Sequence, residues 1–256
     1  MKGTRSTKAY DIPERVASYD ADMDLMHPNR SKMIAIALEV LPFSSRKSLV
    51  ALDLGIGTGT FTLKFLGQYP RARVVAVDGA EAMIGLARAR LGDLAQRVSF
   101  CVGDFRELES LLPEEMRFDV IYSSYALHHL HRQDKVKVIR QALLRLKPHG
   151  WFLNADLIVG EDAFVEKRIQ EIRVTGIVDR AAGKRERFRD RASTRRFLDE
   201  LEAKEGDRPV SLLEDLSVLR EAGLEKPTVL WLEYREAVTG GVKKPVSPTR
   251  HPGKSK

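Results

Sequence analysis

The sequence predicts an α/β domain: a mostly parallel sheet with helices on both faces. Three observations lead there. From Ser48 onward, short and nearly all-apolar runs alternate with amphipathic ones, as they do when strands are buried on both faces. The apolar run SLVALDL enters a glycine-rich stretch, GIGTG, carrying Gly55, Gly57 and Gly59. The chain has 256 residues, 43% hydrophobic and 31% charged, ample for one such domain with a full core and marginal for two.

The elements follow in order. Residues 10–42 read as helical, with a capping signal around IPERVASYD and an apolar series in SKMIAIALEVL. VALDL (50–54) is the first strand, followed by a helix over 58–66. VVAVD (74–78) is the second strand, AEAMIGLARARL (80–91) a helix, and VSFCVGD (98–104) the third strand. FDVIYSS (118–124) is the fourth. A helix over 135–146 is closed by Lys147-Pro148-His149-Gly150, and WFLNADLI (151–158) is the fifth strand. Alternation stops at residue 160. Residues 163–196 read as one long charged helical insert, with eleven Lys or Arg against five Asp or Glu. SLLEDLSVLREAGL (211–224) is an amphipathic helix ending at Gly223. PTVLWLEY (227–234) and REAVTGG (235–241) form a tight antiparallel pair.

Composition narrows the class. The first twenty residues hold no apolar core of signal-peptide length, and no run of about 18 apolar residues occurs; the expectation is a soluble, cytoplasmic protein with no membrane partner. One cysteine, Cys101, allows neither an internal disulfide nor a cysteine-rich zinc site. The net charge of +7 sits in the ends: residues 1–9 carry +3, residues 240–256 carry +5, and residues 10–239 sum to −1. Residues 1–9 and the Pro-, Gly- and Lys-rich tail over 242–256 are expected to be disordered. The tail could touch an anionic partner weakly, so nucleic acid is not ruled out.

A glycine turn between a strand and a helix could hold a phosphate, a dinucleotide or a methyl donor. Glycines let the backbone approach a ligand closely, and the helix behind offers free N–H groups. A dinucleotide site needs GxGxxG, but Thr60 stands in the sixth position. A nucleoside-triphosphate loop needs a Lys that is absent here. The next strand ends in Asp78, nineteen residues after Gly59, where a carboxylate can accept both ribose hydroxyls. The third strand ends Gly103-Asp104-Phe105, an acid and an aromatic suited to an adenine amino group and ring. The fourth ends SSYALHHL (123–130). Four features thus fall at four adjacent strand ends, where a parallel sheet opens its ligand crevice.

Through LDLGIGTGTFT, VVAVDGAEAM, VSFCVGDF, FDVIYSSYALHHL and LKPHGWFLNAD the chain resembles class I S-adenosylmethionine-dependent methyltransferases over about residues 10–241. The resemblance implies a Rossmann-like seven-stranded sheet in the order 3-2-1-4-5-7-6, with strand seven antiparallel, and S-adenosylmethionine as cofactor. It implies a helical cover over 10–47 and a lid over 160–205. It places Asp53, Gly55, Ile56 and Gly57 under the methionine part of the donor. Asp78 would take the ribose hydroxyls, with Gly79 and Met83 beside the adenosine. Gly103, Asp104 and Phe105 would take the adenine, and Ser123 the methionine amino group or sulfonium. Tyr19 in VASYD would cover the donor, with Tyr10 a second candidate.

Methyl transfer is an in-line displacement that depends mainly on alignment in a dry pocket. His128 and His129 are the candidates for a general base, which is needed only for an acceptor that still carries its proton; ordinary packing and capping is their other reading. Asn154 and Asp156 are too few oxygen residues for a metal, so none is expected. The basic insert, through Arg173, Arg180, Arg195 and Arg196, could attract an anionic small-molecule acceptor or be a solvated helix. The leading expectation is a small-molecule methyltransferase, with a homodimer open. The alternatives are an RNA (tRNA) or protein methyltransferase, a carboxy-S-adenosylmethionine synthase, and a non-catalytic subunit that binds the donor.

Overall fold

The computed structural model describes Tyr10 and residues 13–245, with the side chains of Tyr10 and of Ser18 onward. Residues 1–9 and 246–256, where disorder is expected, lie outside the described residues. Two helices come first, α1 (Pro13–Met26) and α2 (Arg30–Glu39), parted at Pro28-Asn29. The regular alternation follows: β1 (Val50–Leu54), α3 (Thr60–Gln68), β2 (Arg73–Asp78), α4 (Glu81–Leu91), β3 (Val98–Val102), a short α5 (Leu108–Leu111), β4 (Phe118–Ser124), α6 (Arg132–Arg145) and β5 (Leu146–Val159). Then come α7 (Ala163–Ala181), α8 (Arg191–Glu205), β6 (Val210–Ser211), α9 (Leu212–Ala222), β7 (Thr228–Glu233) and β8 (Glu236–Val242).

The sheet runs β3-β2-β1-β4-β5-β8-β7, with β6 beside the end of β5. The five strands from β3 to β5 are parallel, and β8 is antiparallel to both its neighbours. This is the expected order with one strand added. The added strand is two residues long, and Ser211 also caps α9 by accepting from the Glu214 N–H. A pair that short has no periodicity to read.

Period-two alternation sorts the strand side chains between two cores. Ala51, Val74, Ala76, Val120 and Tyr122 face the layer of α1 to α4 and the lid. Leu52, Leu54, Val75, Val77 and Ile121 face α6 and α9. Each fully buried aliphatic side chain contributes about 1.5–3 kcal/mol, so this division fixes the register: a one-residue slip would send every one of them to the wrong layer. Asp53, Asp78 and Ser124 share parity with the first set, so their side chains emerge on the face that carries the glycine turn.

Several element ends shift by two or three residues from the sequence expectation, and two differences are larger. Lys147–Gly150 does not close a helix; β5 already begins at Leu146, and its pairing to β4 jumps from Leu146 to Trp151 across a bulge with His149 at φ 61°. The insert is two helices, not one. α7 ends at Ala182, in the left-handed region at φ 47°. α8 starts after Asp190, whose carboxylate accepts from the Ser193 N–H at 2.7 Å. A side-chain cap is local chemistry that competes with a continuous helix.

One glycine shows how tightly the antiparallel strand is docked. A Cβ on Gly240 would lie 2.1 Å from the Phe152 carbonyl oxygen of β5. Gly67, exposed near the end of α3, has open space at that position. Gly240→Ala is therefore expected to cost about 3 kcal/mol in urea denaturation, whereas Gly67→Ala should raise stability by up to about 1 kcal/mol. Equal small effects would show that β8 does not need this close approach.

Candidate functional site

A cleft of about 370 Å³ opens at the carboxyl ends of β1 to β4. Its floor is the glycine turn. Gly55, Gly57 and Gly59 all have positive φ, at 83°, 51° and 80°. At Gly55 a Cβ would meet the Ala126 Cβ at 2.5 Å, while at Gly57 it would project into open space. Gly55 is thus needed for packing, and Gly57 leaves the cleft unobstructed.

Two carboxylates stand beside the turn. Asp78 accepts from the Gly57 N–H at 2.8 Å through Oδ2 and from the Ala80 N–H at 2.9 Å through Oδ1, fixing the turn to the end of β2. Asp53 is fully buried and accepts from Thr62 Oγ1 at 2.6 Å; that hydroxyl lies 2.7 Å from Tyr122 Oη. Burial pushes the Asp53 carboxyl up to about 7, against the Thr62 bond and with help from the Asp78 charge. Asp104 and Phe105 reach the cleft from β3. The Arg106 guanidinium holds the Asp104 carboxylate through both oxygens, with contacts of 2.9 and 3.0 Å from Nε.

Most of the expected residues line this one cleft: Tyr19, Asp53, Gly55, Ile56, Gly57, Asp78, Gly79, Met83, Asp104 and Phe105, with His129 and Tyr10 on the far side. Three do not. Gly103 packs under Leu111, and Ser123 donates to the Leu54 carbonyl at 2.8 Å on the opposite face of the sheet. Ser124 takes its place in the wall, as strand parity requires. His128 is buried behind the wall, with Nδ1 2.5 Å from Asp156 Oδ1 and its backbone N–H on Asp156 Oδ2. Burial disfavours its imidazolium, but Asp156 and Asp207 outweigh that and push His128 up to about 10.

The wall opposite the glycine turn comes from a segment that carries no motif. α8 ends at Gly206, in the left-handed region at φ 73°. The chain then turns back, and the Arg208 N–H donates to the His128 carbonyl at 2.7 Å. This puts Glu205 and Arg208 into the cleft and Asp207 behind it. Tyr10 Oη donates to Glu205 Oε2 at 3.0 Å and lies 3.3 Å from His129 Nε2. The glycine after α8 was the only sequence signal, and it names a helix end rather than a site.

The lid arginines have other duties. Arg173 pairs with Glu202 at 2.5 Å, Arg195 with Asp199 at 2.5 Å, and Arg180 Nε donates to the Leu25 carbonyl at 2.8 Å. None of these, nor Arg196, lines the cleft; Arg30, Arg106 and Arg208 do. The cover helix α1 is pinned over the cleft by Asp20, which bonds Arg30 at 3.0 Å, Thr58 at 2.9 Å, and Arg90. No helix among the described residues is long and apolar enough to cross a membrane.

Known proteins are similar to this chain in sequence and fold. The family described as a methyltransferase domain matches residues 51–150. An uncharacterized methyltransferase of Geobacillus sp. is 31% identical over 160 residues, 62% of this chain and 71% of that protein. The carboxy-S-adenosyl-L-methionine synthase of Wolinella succinogenes is 26% identical over 174 residues, 64% of this chain and 68% of that one. The fold matches Haemonchus contortus phosphoethanolamine N-methyltransferase 2, solved with phosphomonomethylethanolamine and S-adenosylhomocysteine. There the TM-score is 0.63 and the identity 17%, over 89% of this chain and 46% of that one.

The raised Asp53 carboxyl has a measurable consequence. Between its unfolded value and about 7, the folded chain keeps a proton that the unfolded chain has lost. Its contribution to stability is therefore most favourable near pH 4 and falls as pH rises through 7. Asp53→Asn is expected to stabilise the ligand-free protein by about 2–4 kcal/mol at pH 8 and by almost nothing at pH 4. Urea denaturation at both values checks this; a pH-independent effect would contradict it.

Proposed function

As the chain belongs to the class I S-adenosylmethionine-dependent methyltransferases, we propose that it methylates a small molecule held between the glycine turn and the Tyr10–Glu205–Arg208 wall. The observation behind this reading is the division of one cleft into two chemically different halves. One half joins Asp53, Gly57, Asp78, Asp104 and Phe105 around a backbone floor. The other joins Tyr10, His129, Glu205 and Arg208.

In the donor half, Asp78 accepts from the Gly57 and Ala80 N–H groups, and a carboxylate oxygen has more than one acceptor position, which suits it to the two ribose hydroxyls. Asp53, raised to about 7, meets the methionine ammonium and ionises in doing so, because the added cation offsets its desolvation. Phe105 flanks the adenine, while Asp104 shares its oxygens between the adenine amino group and Arg106. Tyr10 and Tyr19, edge to face at 5.8 Å between ring centres, close the cleft over the donor and exclude water.

S-adenosylmethionine held there would supply an electrophilic methyl group to the acceptor's lone pair, the carbon–sulfur electron pair staying on sulfur, and an acceptor that carries a proton would need a residue to take it. His128 does not reach the cleft. His129 presents Nε2 to a phenol that already donates its own proton to Glu205, so that nitrogen is a donor and not a base. The proton acceptor in this arrangement is Glu205, reached through the Tyr10 hydroxyl. The Wolinella relative supports a second reading: a synthase would leave a carboxylated sulfonium product and release no S-adenosylhomocysteine.

The donor half is tested by calorimetry. Asp78→Ala should weaken S-adenosylhomocysteine binding about 100-fold, the loss of two charge-assisted hydrogen bonds; unchanged affinity would remove Asp78 from the site. The acceptor half is tested by screening carboxylic acids, phenols and amines for methylated product and S-adenosylhomocysteine release. With the best acceptor, Glu205→Gln should lower kcat about 10²-fold and leave donor affinity intact. A loss confined to KM would make Glu205 a binding group only.

A further inference from the structure

Two imidazoles and a carboxylate converge behind the acceptor wall. One ring nitrogen of His128, one of His129 and an Asp207 oxygen all lie within 4.8 Å of one another. Their other neighbours decide which ring nitrogens carry protons. His128 Nδ1 faces Asp156 Oδ1, an oxygen that also accepts from the Leu157 N–H, so Nδ1 is the donor. Nε2 is therefore the nitrogen that a cation would meet once the ring gives up its second proton. That Nε2 faces Asp207 Oδ1 at 3.6 Å, beyond hydrogen-bond range.

His129 repeats the pattern with the nitrogens exchanged. Tyr10 Oη gives its proton to Glu205, so it accepts from His129 Nε2. The bare Nδ1 then lies 3.0 Å from the same Asp207 Oδ1. Neither atom has an aligned hydrogen-bond partner, although both are buried. Two imidazole nitrogens and a carboxylate oxygen thus surround one small volume that must hold positive charge, either a proton on His128 or a bound cation that displaces it.

We propose that His128 Nε2, His129 Nδ1 and Asp207 Oδ1 form a site for one divalent transition-metal cation, of which zinc is the best match. Ligands about 2.0–2.2 Å from a tetrahedral zinc lie about 3.3–3.6 Å from each other. The two separations to Asp207, 3.6 and 3.0 Å, are near that range. Two imidazoles disfavour magnesium and calcium, which take oxygen ligands. Asp156 behind His128 supplies the outer carboxylate that fixes a metal-binding imidazole. Three protein ligands leave a fourth position for water or for an acceptor heteroatom. The site is independent of the donor half of the cleft, and methyl transfer does not require it.

The full chain, loaded with Zn²⁺ and desalted, should retain about one zinc per molecule by mass spectrometry. His129→Ala and Asp207→Ala should lower this below about 0.1. His149→Ala, which removes an exposed histidine at the start of β5, should not. S-adenosylhomocysteine binding, read separately, reports whether each variant is folded and whether the methyltransferase site is intact. If the variants lose that binding as well, Co²⁺ in the parent protein decides. One equivalent with the absorption of a tetrahedral nitrogen–oxygen site supports the proposal; absence of that spectrum overturns it. A parent protein that binds S-adenosylhomocysteine but keeps no zinc also overturns it, and a proton on His128 then fills the volume. Equal zinc in Asp207→Ala and the parent overturns it too.

Discussion

The cleft depends on the carboxylate of Asp78 holding the glycine turn. The turn has no side chains of its own to pack at Gly55, Gly57 or Gly59, and left-handed φ values leave its path open to many alternatives. Two bonds from Asp78, to Gly57 and Ala80, join it to the start of the next helix. The Gly55 N–H reaches back to the Val77 carbonyl at 2.8 Å. The floor is thus fixed by the end of β2 rather than by its own sequence. Asp53 adds a second carboxyl under the same floor, where desolvation and the charge on Asp78 together hold its proton. Burial of the Asp53 carboxyl disfavours its charged form, and a cationic ligand offsets that.

How much of this was legible in the sequence follows from where each signal lies. The sheet order and the donor half were readable because their residues sit at the ends of short apolar strands, where chain position and spatial position coincide. Ser123 shows the limit. The strand end was placed well, but the choice between Ser123 and Ser124 turns on side-chain parity, and only burial of Ile121 and Tyr122 on opposite faces settles it. The split of the insert at 182–190 was hidden because its helix-breaking element is an Asp190 cap inside a run of arginines. Glu205, Asp207 and Arg208 were invisible. Glu205 and Arg208 reach the cleft, and Asp207 the space behind it, about eighty residues along the sequence from His128, and no local pattern encodes a tertiary return of that length.

Several of the lid's arginines are spent within the protein. Arg235 pairs with Glu166 at 3.0 Å, and Glu202 receives Arg173 from α7. Arg187 reaches the buried Asp22 of the cover helix. Partly buried pairs of this kind contribute little net attraction but penalise any misplacement of one partner. The composition of the insert therefore speaks to how lid and cover are held in register. The charge that faces the cleft comes from elsewhere, from Arg30, Arg106 and Arg208.

Gly206 gives this architecture an unexpected rule of inheritance. The helix α8 carries Glu205 at its last position, and the left-handed glycine aims the next two residues at His128 and His131. Each residue inserted into or deleted from α8 would rotate its end by about 100° and shift it by about 1.5 Å. A single-residue change in lid length would swing the whole acceptor wall out of the cleft, while a full turn would return it. Lineages that share this wall should therefore vary their lids in steps of about one helical turn and leave the glycine in place.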